Sequence, residues 1–288
     1  MRIAASRVTL PALPALLLFA ATAVSCARSA GSPDSAASAA SAASAASASS
    51  AASASSASVT THGEWIKIPR GQDTIRAYVA FPERSSRAPA IIVIHEIFGL
   101  TEWEPTVADR LAKSGFVAIA PDLLSSRFGM TPAASDSGRK LVGQLEPERV
   151  TADLDAVYAY VDGLPAVRKG DIGTIGFCWG GGQSFRYATN NPRLKAAVVC
   201  YGPAPDSAAL ARIEAPVLGI YGENDARINA ALPDVERQMA ALGKSFETEI
   251  YDSTGHGFLK PGRQGFGTPA VEQAWERITG FYRDKLGR

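Results

Sequence analysis

Short apolar, β-branched runs alternate with helical patterns along most of this chain, and that alternation limits its fold more than any other feature. "EWIKIP" and "IRAYVAFP" come first and read as a hairpin. "APAIIVIHE", "FVAIAPD", "DIGTIGF", "KAAVVCYG", "APVLGIYGEND" and "SFETEIYDS" follow as further strands. The first of these is apolar without interruption, as expected of a strand buried on both faces of a parallel sheet. Helical spacing separates them in "TVADRLAKSG", in "PERVTADLDAVYAYVDGL" and in the segment after Gly182. It returns in "NAALPDVERQMAALG" and "TPAVEQAWERITGFYRDKL". The pattern predicts an α/β chain with an open, mostly parallel central sheet and helices on both faces. Ligands of such sheets bind beyond the carboxyl ends of the strands. Each residue that carries chemistry should therefore fall just after a strand.

The alternation leaves out the first fifth of the chain. Residues 1–25 carry Arg2 and Arg7 and then "LPALPALLLFAATAV", a run too short and too broken by Pro11 and Pro14 to span a membrane. A basic start, a short apolar stretch and small residues at its end predict a secretory signal peptide. Cys26 follows in "TAVSC", which resembles a bacterial lipobox, although Ala23 stands where leucine is usual. The resemblance implies a lipidated Cys26, a membrane anchor and an exported protein. Residues 26–58 continue as almost pure Ala and Ser, with nothing large to bury against the entropy of ordering. They are expected to be a disordered tether, leaving one domain over residues 59–288.

The formal charge of +1 falls to about −1 once Arg2 and Arg7 are removed, and no long basic block points to nucleic acid. A monomer is expected. Cys178 and Cys200 are the only cysteines after Cys26, too few for a disulfide framework.

Cys178 follows "DIGTIGF" within Gly176-Phe177-Cys178-Trp179-Gly180. Gly-x-nucleophile-x-Gly is the pattern of a strand-to-helix elbow, with cysteine in place of the commoner serine. The glycines relieve crowding at a strained turn, the N–H of Trp179 is placed to bind an oxyanion, and a helix amino end favours thiolate. A structural turn is the alternative. Asp225 in "YGENDARI" and His256 in "STGHGF" each follow a later strand. Nucleophile, acid and histidine thus occur in α/β-hydrolase order. Histidine takes the thiol proton and later activates water, while Asp225 holds its tautomer. Cys200, inside "AAVVCYG", reads as a core or strand-end residue.

Glu96 closes the strand that ends in "IIVIHE", and an acid after four apolar residues needs a reason to be buried. The N–H of Ile97 beside it is placed as a second oxyanion donor, and His95 belongs to the same turn. Taken in order, His95-Glu96-Ile97-Phe98-Gly99, "APDLL", "GFCWGG", "GENDARI" and "GHGF" resemble the dienelactone hydrolase family from about Val59 to the end. The resemblance implies an α/β-hydrolase fold and a triad of Cys178, His256 and Asp225. It also implies a Glu96 that contacts the nucleophile and promotes thiolate when substrate displaces it. Neither metal nor organic cofactor is implied. The substrate would be a small ester or lactone whose carboxylate is held by arginines. Here the chain departs from the family: Lys260 replaces one arginine, and Arg127 in "PDLLSSRFG" is displaced by one residue from the other. Lysine keeps the charge but loses the bidentate fork. Tyr201, with Trp103, Trp179 and Phe258, lies near strand ends and is a further substrate-side candidate.

Two other functions stay open at this point. One is a non-catalytic envelope lipoprotein that uses the same fold for binding. The other is thiol–disulfide exchange, which lacks a Cys-x-x-Cys pair.

Overall fold

The computed structural model describes residues 60–287. The expected signal peptide, Cys26 and the expected Ala/Ser tether lie outside the described residues. The expected hairpin is β1 (Thr61–Arg70) and β2 (Asp73–Pro82), paired antiparallel along their whole length. Gly71 takes φ +59° at the turn, a conformation open to glycine.

The chain continues through β3 (Ala88–Ile94), α1 (Trp103–Lys113), β4 (Val117–Asp122), α2 (Ser125–Phe128) and α3 (Ser135–Val142). Next come α4 (Pro147–Asp162), β5 (Val167–Phe177), α5 (Trp179–Asn190), β6 (Ala196–Cys200) and α6 (Ser207–Leu210). β7 (Val217–Gly222), α7 (Ala226–Asn229), α8 (Leu232–Ala241), β8 (Phe246–Tyr251) and α9 (Pro269–Lys285) complete it. One eight-stranded sheet results, in the order β1-β2-β4-β3-β5-β6-β7-β8. β3 to β8 pair in parallel, and β2 meets β4 antiparallel.

Two cores sandwich this sheet. On one face Val107 and Leu111 of α1 and Trp275, Ile278 and Tyr282 of α9 pack against Ile91 and Val93. On the other, Leu154 and Val157 of α4, Phe185 of α5 and Met239 of α8 pack against Ile92 and Ile94. Successive side chains of β3 serve opposite faces, so burial on both makes the run continuously apolar. From β3 the chain builds outward to β4 on one side and returns to β5 on the other. The ends of β3 and β5 are thus a topological switch point, where a crevice opens for ligands.

Three local differences have physical reasons. α1 begins three residues before the expected Thr106. "NAALPDVERQMAALG" is helical only from Leu232, after α7 has ended on its first residue, with Pro233 in the first turn of α8, where a missing N–H costs nothing. α3 was unexpected in a stretch without clear apolar periodicity. Its Gly138 sits so close to the β3–α1 turn that an added Cβ would lie 2.2 Å from the Phe98 carbonyl oxygen.

Candidate active site

The elbow at the end of β5 depends on close backbone approach. Cys178 adopts φ 56° and ψ −114°, a conformation that costs a non-glycine residue about 1–3 kcal/mol. Its N–H donates to the Cys200 carbonyl, and its own carbonyl accepts from Gly182 N–H. The glycines are there for contact. A Cβ on Gly176 would lie 1.9 Å from the Gly180 oxygen, and one on Gly180 would lie 2.3 Å from the His95 oxygen. α5 is thereby pressed onto the ends of β3 and β6, with the half-exposed Cys178 thiol at its amino end. Cys200 is fully buried at the end of β6, opposite Phe177, and both thiols are free. Burial pushes the Cys200 thiol well above its usual pKa.

The loops after β7 and β8 bring the acid and the histidine together. His256 Nδ1 lies 2.5 Å from Asp225 Oδ2, so that nitrogen carries the proton and donates it to the buried carboxylate. Asn224 N–H donates to the Thr254 carbonyl, and a Cβ on Gly222 would meet the Gly255 oxygen at 2.6 Å. The two loops are locked against each other through backbone. On its other flank the Cys178 side chain lies close by, and this neighbour leads the causes raising the His256 pKa above the usual 6.5. Burial opposes the rise, and the Asp225 bond adds to it.

The turn after β3 forms the facing wall. Ile94 pairs with Gly176 across the sheet, so Ile97 and Trp179 each lie three residues beyond a matched strand end. Trp179 is the first residue of α5, and its N–H has no acceptor within the helix. Glu96 is buried, and its Oε2 accepts from Lys260 Nζ at 2.7 Å. The resemblance placed this carboxylate on the nucleophile; here it is paired with the lysine. Burial of Glu96 needs such a partner, because an unpaired carboxylate there would be costly. Glu104, also buried, accepts from Glu96 N–H, Thr101 N–H and Thr101 hydroxyl. Trp103 N–H donates to Thr101 Oγ1. This is a capping-box arrangement that fixes the turn, and its Thr-x-x-Glu spacing at 101–104 was a readable signal.

Other candidates divide sharply. Tyr201 belongs to the site. Its ring meets that of His256 edge-on at 5.1 Å, it holds φ 42°, and its buried hydroxyl has no partner among the described residues. Burial, then the nearby Glu96, drives its pKa well above 10. His95 is structural: its Nδ1 donates to the Glu96 carbonyl and its ring stacks on Trp179 at 5.3 Å. Phe258 is buried in the core, whereas Trp103 lies 4.9 Å from Lys260 Nζ. Arg127 is not with this group. It donates to the Gln144 carbonyl and lines a separate cleft with Lys67, Asp73 and Arg76. Arg139 of α3, absent from the sequence reading, lies over Phe98 at 5.2 Å, and Lys260 approaches the same ring at 5.9 Å. Among the described residues no cluster of three His, Cys, Asp or Glu side chains is arranged to hold a metal ion.

A family model described as "Dienelactone hydrolase family" matches residues 75–286. A Methylorubrum extorquens protein assigned as a carboxymethylenebutenolidase is 33% identical over 231 residues, covering 76% of this chain and 79% of that one. A Salmonella typhimurium protein with the same assignment is 33% identical over 240 residues, covering 77% and 87%. Among solved structures, one from Klebsiella pneumoniae assigned as a dienelactone hydrolase superposes with a TM-score of 0.71 at 29% identity. It covers 77% of this chain and 98% of its own.

Proposed function

The chain belongs to the dienelactone hydrolase family of α/β-hydrolases, and from that premise we propose that it cleaves carboxylic esters or lactones through an acyl-enzyme on Cys178. The observation that carries this reading is the His256–Asp225 pair at 2.5 Å, beside the half-exposed Cys178 of the strained elbow. His256 takes the thiol proton as sulfur attacks the carbonyl carbon. The N–H groups of Ile97 and Trp179 receive the oxyanion. Collapse of the adduct breaks the carbon–oxygen bond, and His256 gives its proton to the departing alkoxide. A water deprotonated by His256 then attacks the thioester, releasing the acid and restoring the thiol. Asp225 holds the ring and balances the imidazolium charge.

The pair of Glu96 and Lys260 supports a substrate carrying its own carboxylate. Such a group competes with Glu96 for the Lys260 ammonium, and Arg139 supplies a second cation across Phe98. The Tyr201 hydroxyl, without a partner among the described residues, is a further donor beside the histidine. The test is a screen of the purified protein against aryl esters and carboxylated lactones, alongside Cys178→Ala. Turnover by the wild type and none by the folded variant is expected; retained hydrolysis in that variant would overturn the mechanism.

We also propose export, with Cys26 as the lipid-bearing amino terminus. Arg2, Arg7, the apolar run and "TAVSC" support this, and a tract of Ala and Ser suits a tether between anchor and enzyme. Mass spectrometry of the mature protein should find a diacylglyceryl-modified Cys26. An unmodified terminus at another residue would reject the anchor.

A further inference from the structure

A groove of about 640 Å³ runs between α1, the amino end of α9 and the 259–268 segment. Its apolar walls are Trp103, Val107, Leu259, Phe266, Val271 and Trp275. No member of the triad lines it, yet two connections tie it to the site. The Trp103 ring lies edge-on to Phe177 at 4.7 Å, one residue before Cys178, and Lys260 Nζ sits 4.9 Å from the same ring. Leu259 and Pro261, on either side of Lys260, line the groove as well.

The groove is long, and its charged lining is Arg110, Glu272 and, at the far end, Lys113. It follows α1 from Trp103 to Lys113, which at the helical rise is about 15 Å. The Arg110 charge within it is matched by Glu272 through two hydrogen bonds, and the guanidinium lies over the Trp275 ring at 4.8 Å. Phe266 is 43% exposed there, although it is a large apolar side chain.

We propose that this groove receives an extended apolar acyl arm of the substrate, so that the enzyme selects medium-chain acyl esters over compact ones. The proposal rests on the hydrolase reading above and adds the substrate class to it. From the acyl carbon on Cys178 the arm would pass Lys260 and Trp103 to reach the groove, which the triad itself does not line. Each methylene fully buried there contributes about fourfold in kcat/KM.

A series of p-nitrophenyl esters from acetyl to octanoyl tests this on the full-length protein, with Thr106→Trp as the variant. Thr106 is exposed on α1 and lines the groove, so a tryptophan there fills the channel without entering the core. The wild type should favour octanoyl over acetyl, and Thr106→Trp should lower that ratio at least tenfold. Phe266→Ala, which removes one wall, should lower it less. An unchanged ratio in Thr106→Trp, or a wild type that prefers acetyl, would overturn the groove. Octanoate binding, measured by calorimetry, needs no turnover. Binding that weakens in Thr106→Trp supports the groove, while no binding, or equal binding, overturns it. Octanoate binding without hydrolysis of any ester would instead sink the hydrolase reading and leave the groove standing.

Discussion

The two walls of the site are built differently. Cys178, His256 and Asp225 are held by backbone: glycine contacts at Gly176, Gly180 and Gly222, carbonyl bonds at Cys178 and a loop-to-loop bond at Asn224. Facing them, Lys260, Arg139 and Glu96 reach the site through long side chains on separate elements, joined by one ion pair and two ring contacts. The difference follows from what each wall must do. Bond making tolerates displacements well under 1 Å, which only close-packed backbone enforces. Recognition of the substrate carboxylate proposed above tolerates more, and flexible cations would supply it without a rigid frame.

The backbone wall gives the largest predicted losses. Cys178→Ala should lower kcat by at least about 10⁴-fold, and His256→Ala by roughly 10²–10⁴-fold. Cys178→Ala should keep the wild-type stability within about 1 kcal/mol, since its side chain lies outside the fully buried core, whereas His256→Ala leaves the buried Asp225 carboxylate without its partner and should cost more. Steady-state assays with matched urea melts check this. A Cys178→Ala protein that keeps a tenth of its activity would break the comparison at its root.

Gly180→Ala should act next most strongly, by a different route. Its Cβ would lie 2.3 and 2.4 Å from two carbonyl oxygens of the β3 end, and backbone cannot swing aside. Overpacking of that kind costs about 3 kcal/mol, and the displaced elbow should lose roughly 10²-fold in kcat. Gly280→Ala is the matched control. It lies within α9 with nothing inside 4 Å of an added Cβ, so the same change should stabilise by about 0.5–1 kcal/mol. Equal effects at the two positions would show that close approach is not what the elbow glycines provide.

The same contrast explains what could be read in advance. Cys178, Asp225 and His256 were legible because each follows a strand, and the topology of a parallel sheet brings such ends to one crevice. β3 was legible from its unbroken apolar character, and the elbow from its glycines. Arg139 was not, because the 135–142 stretch has no clear period and α3 is placed by a contact between Gly138 and Phe98, far apart in sequence. Arg127 lies next to the right motif, yet α2 turns it toward Gln144 and a different cleft. Where a long side chain ends depends on its element's orientation, and residue spacing carries little of that. Glu104 is the opposite case, since its capping-box spacing was present and passed over.

The side-chain wall should respond more mildly, and mainly in KM. Lys260→Met leaves the buried Glu96 without its partner and removes a charged hydrogen bond to a carboxylated substrate. About a 10- to 100-fold rise in KM for a carboxylated lactone is expected. Lys260→Arg should recover most of it, and Arg139→Ala should cost about fivefold, as an exposed cation does. Arg127→Ala should change nothing. Comparing kcat with KM for all four separates the walls, because a loss carried in kcat would place Lys260 with the triad.

The smallest effect lies in the protonation of His256, where the two members of the backbone wall meet. The leading cause of its raised pKa is the neighbouring Cys178 side chain, with burial opposing and Asp225 adding. Cys178→Ala removes the leading cause, so the His256 pKa should fall in that variant while the Asp225 bond persists. A raised folded-state pKa stabilises the protein below the unfolded value near 6.5, and this stabilisation is lost as pH rises through the folded value. The wild type should therefore lose stability across that window, and Cys178→Ala should lose less. In the active enzyme the base must be neutral, so the acidic limb of kcat/KM should lie above 6.5. NMR titration of the His256 ring, with urea melts on either side of the window, reads both quantities. An unchanged His256 pKa in Cys178→Ala would mean that the thiol and the imidazole are not coupled. The triad would then be reduced to a histidine–aspartate pair beside an independent cysteine.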